Sequence, residues 1–446
     1  MTNDELNGID IKVEPPGPNA KKILERDKKY MATTNKVMPV VAKKGQGVYI
    51  QDVDDNVYLD FQSGIAVTNT GHCHPAVVKA VQEQVAKLIH FPGILLSQNL
   101  EGELAEEIDK ITPGDFTKKT YFNCSGAGAI DCAIKVARWS TQRPREIAFI
   151  GAFHGKSIGA MSLTASKNAY RKGFFPEMPG VLHVPFAYCY RCPYKMEYPD
   201  CDCYCAKIID EMYLQKFIPP EEVASIFVEP IQGEGGYIVP PPGWHRALKD
   251  ICEEYGILWV SDEVQAGFGR TGKWFAIENF DIVPDIIVAA KGIASGMPMS
   301  AVILNEKYDI QQPGAQATTY AGNLVTSAAA LATIKVMKEE KMLENAKTQG
   351  DYVLKQLNEL KDKYEIVGDV RGVGLMTAIE IVKDKDSKEP DPLTRNAICM
   401  DAMKKGLLIL FCGPSSIRII PALNVTGDQI DTAMALLEDQ LKEKSK

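Results

Sequence analysis

Pro284-Asp285-Ile286-Ile287-Val288-Ala289-Ala290-Lys291-Gly292-Ile293-Ala294-Ser295-Gly296-Met297-Pro298 is a short apolar run that delivers one lysine into a glycine-flanked turn. Ile286 to Ala290 is apolar without helical period, which predicts a strand buried on both faces. A cation at the end of such a strand costs free energy unless something uses it. The surroundings of Lys291 leave two readings open. Either its stem lies along apolar surface while the ammonium reaches water, or desolvation lowers its pKa and frees the amine to condense with an aldehyde.

Working back along the chain, Trp259-Val260-Ser261-Asp262-Glu263-Val264-Gln265-Ala266-Gly267-Phe268-Gly269-Arg270-Thr271-Gly272 precedes Lys291 by about one strand-crossover-strand length. Ile257 to Val260 reads as another strand, and it ends in a carboxylate pair. Ligands of open α/β sheets sit outside the carboxyl ends of the strands, so Asp262 and Lys291 are expected to face one crevice. A buried aspartate opposite a pyridinium nitrogen, with a lysine forming the Schiff base, is the equipment of pyridoxal phosphate chemistry.

Asp262-Glu263-Val264-Gln265, Gly267 to Gly272, Pro284-Asp285 and Lys291-Gly292 together resemble the class III (ω-) aminotransferases, the 4-aminobutyrate and ornithine aminotransferases among them. The resemblance runs from about Gly47 to Leu423. It implies an α/β, fold-type-I architecture: a mostly parallel central sheet with a smaller α+β domain. It further implies pyridoxal 5'-phosphate held by Lys291, Asp262 keeping the ring nitrogen protonated, Gln265 touching the ring hydroxyl, and the freed lysine shuttling protons.

Composition agrees with a soluble enzyme. The 446 residues exceed one ordinary core, so a large domain with a smaller companion is expected. The net charge of −8 gives no electrostatic case for nucleic acid. The first 29 residues carry charges throughout, and no run reaches membrane-span length, so a cytoplasmic location is expected. Six of the eleven cysteines are scattered. The others, Cys189, Cys192, Cys201, Cys203 and Cys205, crowd one short stretch. They read as a structural staple, metal or disulfide, in preference to a catalytic thiol, and the single-residue gaps of the second group count against zinc. No catalytic metal is assigned.

Four regions are expected: an N-terminal arm at 1–36, the first part of the small domain at 37–75, a large cofactor-binding domain at 76–330 with a cysteine-rich insert at 188–206, and the rest of the small domain at 331–446. Gly47 to Phe61 alternates around a turn-rich centre, the pattern of a hairpin. Tyr121 to Lys135 reads as strand, small-residue turn and helix. Backbone N–H groups at Ser125, Gly126 and Ala127 can hold a phosphate against the helix dipole. The family usually carries glutamate where Gly128 stands, so only the backbone donors are kept.

The remaining site residues follow from the resemblance. Phe153 and Val264 are implied on opposite faces of the cofactor ring, with His154 and Glu229 also in its pocket. Ile65 is implied near the substrate side chain. Lys156 stands where relatives acting on ω-amino acids often have arginine, and keeps the charge without the bidentate geometry. Glu234 is implied to pair with Arg418 when the substrate presents no carboxylate there. Thr319 is implied to reach the phosphate of the neighbouring subunit, which requires at least a homodimer. The implied reaction moves an amino group from an ω-amino acid such as 4-aminobutyrate or ornithine to 2-oxoglutarate. The alternative is an amino-acid racemase or epimerase of the same fold.

Overall fold

The computed structural model describes residues 6–34 and 37–445, and these form two compact units. The larger spans 76–343; the smaller combines the described residues of Met1–Pro75 with those of Glu344–Lys446.

A seven-stranded sheet organises the larger unit. Its strands, in spatial order, are Lys118–Asn123, Ser300–Asn305, Ile286–Ala289, Leu258–Asp262, Val223–Val228, Arg145–Phe149 and Val181–Val184. The five from Ile286–Ala289 to Val181–Val184 pair in parallel, whereas Ser300–Asn305 runs antiparallel to both of its neighbours. The expected lysine strand, Ile286–Ala289, and aspartate strand, Leu258–Asp262, are thus direct neighbours, with Asp262 opposite Val288.

Both strands are buried along their whole length. Side chains alternate between two cores, as the two-residue strand period demands. Val260, Ile286 and Val288 pack with Ala129, Ile130, Ala133 and Ile134 from the helix Gly126–Thr141. Trp259, Ile287 and Ala289 pack on the opposite face with Trp244, Leu248 and Ile251 from the helix Trp244–Tyr255. Two covered faces explain why these strands are written as unbroken apolar runs.

The smaller unit holds the expected hairpin, Tyr49–Asp52 against Val57–Asp60. A second, antiparallel sheet orders Val367–Val373, Met376–Ile381, Ser416–Ile419 and Leu410–Cys412. Within the stretch read as an arm, residues 1–5 and 35–36 lie outside the described residues. The helix Pro18–Tyr30 is tied to the hairpin turn, where Asn19 and Ala20 N–H groups donate to the Asp54 carboxylate, each at 2.8 Å. The expected boundary at 330/331 moves to 343/344, because Leu324–Glu339 is one helix whose Ala329, Ala330 and Ile334 belong to the larger unit's core. Among the described residues, no helix is long and apolar enough to cross a membrane.

Candidate active site

The larger unit gathers most of the candidate residues on loops at the carboxyl ends of its parallel strands. Lys291 follows the lysine strand, opens the short turn Lys291–Ala294, and is half-buried with φ of +46°. That left-handed conformation is unfavourable for a side chain with a Cβ, and such strain concentrates at functional sites.

One strand over, Asp262 is only 4% exposed. Its Oδ1 accepts from the Val264 N–H at 3.0 Å, and its Oδ2 lies 2.6 Å from Nδ1 of the buried His154. Burial alone would lower the His154 pKa. The Asp262 hydrogen bond, the Asp262 charge and the Glu229 charge together outweigh it, and the pKa is raised from its ordinary 6.5. The 2.6 Å contact thus sets an imidazole of raised proton affinity directly against the Asp262 carboxyl group.

Glu229 ends the Val223–Val228 strand and joins two loops. Its Oε2 accepts from the Phe153 N–H at 3.2 Å and its Oε1 from the Gly233 N–H at 3.1 Å. Burial pushes its pKa up to about 7, with His154 and the two N–H groups opposing the rise and Asp262 adding to it.

Close approaches between loops set the rest of the cradle. Ser125 caps the helix Gly126–Thr141, its Oγ accepting from the Gly128 N–H at 3.1 Å. A methyl group at Gly126 would stand 3.1 Å from Val264 Cγ1 and 3.8 Å from Ala290 Cβ, so the small-residue turn lies against both the Val264 loop and the foot of Lys291. A methyl at Gly155, where φ is +134°, would stand 2.6 Å from Ala127 Cβ. The turn at 125–127, the Phe153 loop, Val264 and Lys291 thereby share one neighbourhood. Gln265 Oε1 and His154 Nε2 are buried there without a hydrogen-bond partner. Orphaned polar atoms, glycine-walled backbone amides at a helix start and a buried aspartate fit a planar, anionic, nitrogen-containing cofactor.

Among the residues expected near the substrate, Lys156 is exposed, its Nζ 4.5 Å from the centre of the Tyr170 ring. Glu234 Oε1 accepts from Lys167 Nζ at 2.5 Å and from the Tyr170 hydroxyl at 3.3 Å. Tyr170 also packs edge-on against Phe153, with ring centres 5.4 Å apart. Sequence reading missed Lys167 and Tyr170, which sit in an irregular loop; a lysine three residues before a tyrosine is the only signal there. Thr319 is exposed in the segment that leads into Asn323, the cap of Leu324–Glu339. Ile65 and Arg418 belong to the smaller unit. Ile65 is 40% exposed with φ of +66°, a strained conformation for a β-branched residue, and Arg418 is buried, its Nη2 donating to the Phe411 carbonyl at 3.0 Å.

Comparison with known proteins places these loops in a family. The model for aminotransferase class-III matches residues 30–441. The chain is 42% identical to an alanine/serine racemase of Pyrococcus horikoshii over 97% of this chain and 92% of that protein. It is 38% identical to a probable 4-aminobutyrate aminotransferase of Bacillus subtilis over 90% of this chain and 93% of the other. A solved aminotransferase of Bacillus anthracis superposes with a TM-score of 0.88 at 28% identity, over 95% of this chain and 99% of that one. With the matched residues covering nearly the whole sequence, the chain belongs to the class-III aminotransferases, enzymes that depend on pyridoxal phosphate.

Proposed function

We propose that Lys291 holds pyridoxal phosphate and that the enzyme moves an amino group from an ω-amino acid, such as 4-aminobutyrate or ornithine, to 2-oxoglutarate. The observation that carries the reading is the strained, half-buried Lys291 just past the end of the strand that neighbours Asp262, whose Oδ2 lies 2.6 Å from buried His154.

When bound, the cofactor supplies an electron sink for the pair left behind as a carbon–hydrogen bond of the substrate breaks. This chain's residues do the rest. Lys291 Nζ takes that proton from carbon and returns it elsewhere. Asp262 would hold a proton on the ring nitrogen, and His154, 2.6 Å from its Oδ2, would fix the carboxyl in place. Phe153 and Val264 would hold the ring between them, and Gln265 would meet its hydroxyl. Amides of Ser125, Gly126 and Ala127 bind the phosphate, together with Thr319 of a second copy in a homodimer. Ile65, Lys156, Glu234 and Arg418 choose the substrate. Probable or named 4-aminobutyrate and 5-aminovalerate aminotransferases among the relatives support the ω-amino donor.

A second reading is racemisation of a neutral amino acid, with the proton returned to the carbon it left. The 42% identity to the alanine/serine racemase favours it, as does a lysine at 156 in place of a carboxylate-gripping arginine. Incubating the enzyme with single L-amino acids and with 4-aminobutyrate, with and without 2-oxoglutarate, separates the two. Glutamate formed only when the oxo acid is present supports transamination. D-enantiomer formed without any oxo acid overturns it in favour of racemisation.

A further inference from the structure

The cysteine-rich insert takes no part in the site above, and it has a chemistry of its own. Cys189 opens a short turn, Cys189–Arg191, and the chain returns through Cys201 to the helix Tyr204–Ile208. Cys189, Cys192, Cys201 and Cys205 line one small cavity together with Tyr194 and Tyr204. The fifth thiol is turned elsewhere: Cys203 is buried and its Sγ donates to the Pro242 carbonyl at 3.6 Å.

Two observations narrow what the four can do. The five cysteines of the insert are free thiols, and among the described residues no three histidine, cysteine or acidic side chains form a group that could hold a metal ion. Chemistry between pairs of sulfurs remains. Cys189 is exposed, while Cys192, Cys201 and Cys205 are partly buried, so Cys189 is the sulfur that a reagent from solution meets first, and Cys201 is the first thiol of the returning chain in the same cavity. The fold has already brought both ends of the intervening loop to one cavity, so little closure entropy is left to lose on joining them.

We propose that Cys189 and Cys201 form a thiol-oxidation site, closing to a disulfide when a small-molecule disulfide of the glutathione class reaches them. The Cys189 thiolate attacks one sulfur of the reagent, whose S–S bond breaks and releases one thiolate. The Cys201 thiolate then attacks the Cys189 sulfur, forming the protein disulfide and releasing the second small thiolate. Two thiol protons leave to water, the protein gives up two electrons, and the reagent takes both. Among the neighbouring thiols, Cys201 weighs most on Cys189, whose pKa is raised chiefly by burial. Cys205 is pushed up to about 12 by burial and stays protonated, which makes it the poorer attacker.

The test treats full-length, cofactor-loaded enzyme with oxidised glutathione. Tryptic cleavage after Arg191, Lys195 and Lys207 puts Cys189, Cys192 and the Cys201–Cys205 group on three separate peptides. The expected product is the Cys189 peptide joined to the 196–207 peptide, lighter by two hydrogens, with fragmentation placing the bond on Cys201. Its rate should rise with pH, because the attacking species is the thiolate. C189S and C201S should each abolish the bond, and C203S should keep it. Exposed Cys73 and Cys124 report that the reagent is active. A bond that survives C189S, glutathione adducts with no internal bond, or one zinc per chain that shields these thiols until a chelator removes it, would each overturn the proposal.

Discussion

Lys291 pays for its position twice, once in lost solvation and once in a left-handed backbone, and both costs make sense if the amine is consumed by a covalent bond. Lys291→Ala should lower turnover by at least about 10³-fold, and borohydride should fix the cofactor on the peptide that carries Lys291. Asp262→Asn keeps the shape and removes the charge, so turnover should fall by about 10²–10³-fold while the melting temperature stays close to that of the parent. Glu229 offers a pH test. Its carboxyl has an ordinary value of 4.5 and about 7 in the fold, so the folded chain binds its proton more tightly than the unfolded one. That contribution to stability is complete below about 4.5 and is lost as pH rises through about 7. Glu229→Gln should therefore flatten the decline in melting temperature across that window; an unchanged slope would mean that another group titrates there. Lys291 and Asp262 were legible in the sequence because a charge at the end of an apolar run is conspicuous. Lys167 and Tyr170 were not, since their meeting with Glu234 depends on how an irregular loop folds back.

Elements hold these residues by close approach more than by hydrogen bonds. Gly155 is one such case: its φ is +134°, and an added methyl would press on both Ala127 and Ala160. Gly155→Ala should destabilise the protein by about 1–3 kcal/mol, read from urea unfolding, and should weaken cofactor binding because Ala127 moves with the phosphate turn. Buried strands such as Ile286–Ala289 could be read directly, since an apolar run covered on both faces has no other economical use. Pairing order could not, because Lys118–Asn123 finds its partner in Ser300–Asn305 far along the chain. Val367–Val373 escaped notice for a different reason: Asp369, Arg371 and two glycines interrupt it, and only pairing with Met376–Ile381 makes it a strand. Leu324–Glu339 and Met342–Lys363 are likewise separate helices, parted at Lys341, where φ is +50°.

At the scale of the whole molecule, the homodimer proposed above has a surface that suits it. Ile89, Ile94, Leu95 and Leu96 are between 58% and 68% exposed, an apolar cluster larger than scattered surface residues require. The same stretch is tied to the segment bearing Thr319. The Asn323 amide donates to the Ile89 carbonyl at 3.1 Å, and Tyr320 packs on His90 with ring centres 4.8 Å apart. A partner that covers the apolar cluster would therefore also meet Thr319, so on the proposal above assembly and phosphate binding would be coupled through one surface. Sedimentation should give twice the 49.1 kDa chain mass. Ile94→Asp combined with Leu95→Asp should release single chains that bind the cofactor more weakly and turn over slowly, whereas Thr319→Ala should weaken cofactor binding and leave the dimer intact. Single chains that kept full activity would mean that each copy completes its own phosphate site, and Thr319 would then have no role across the interface.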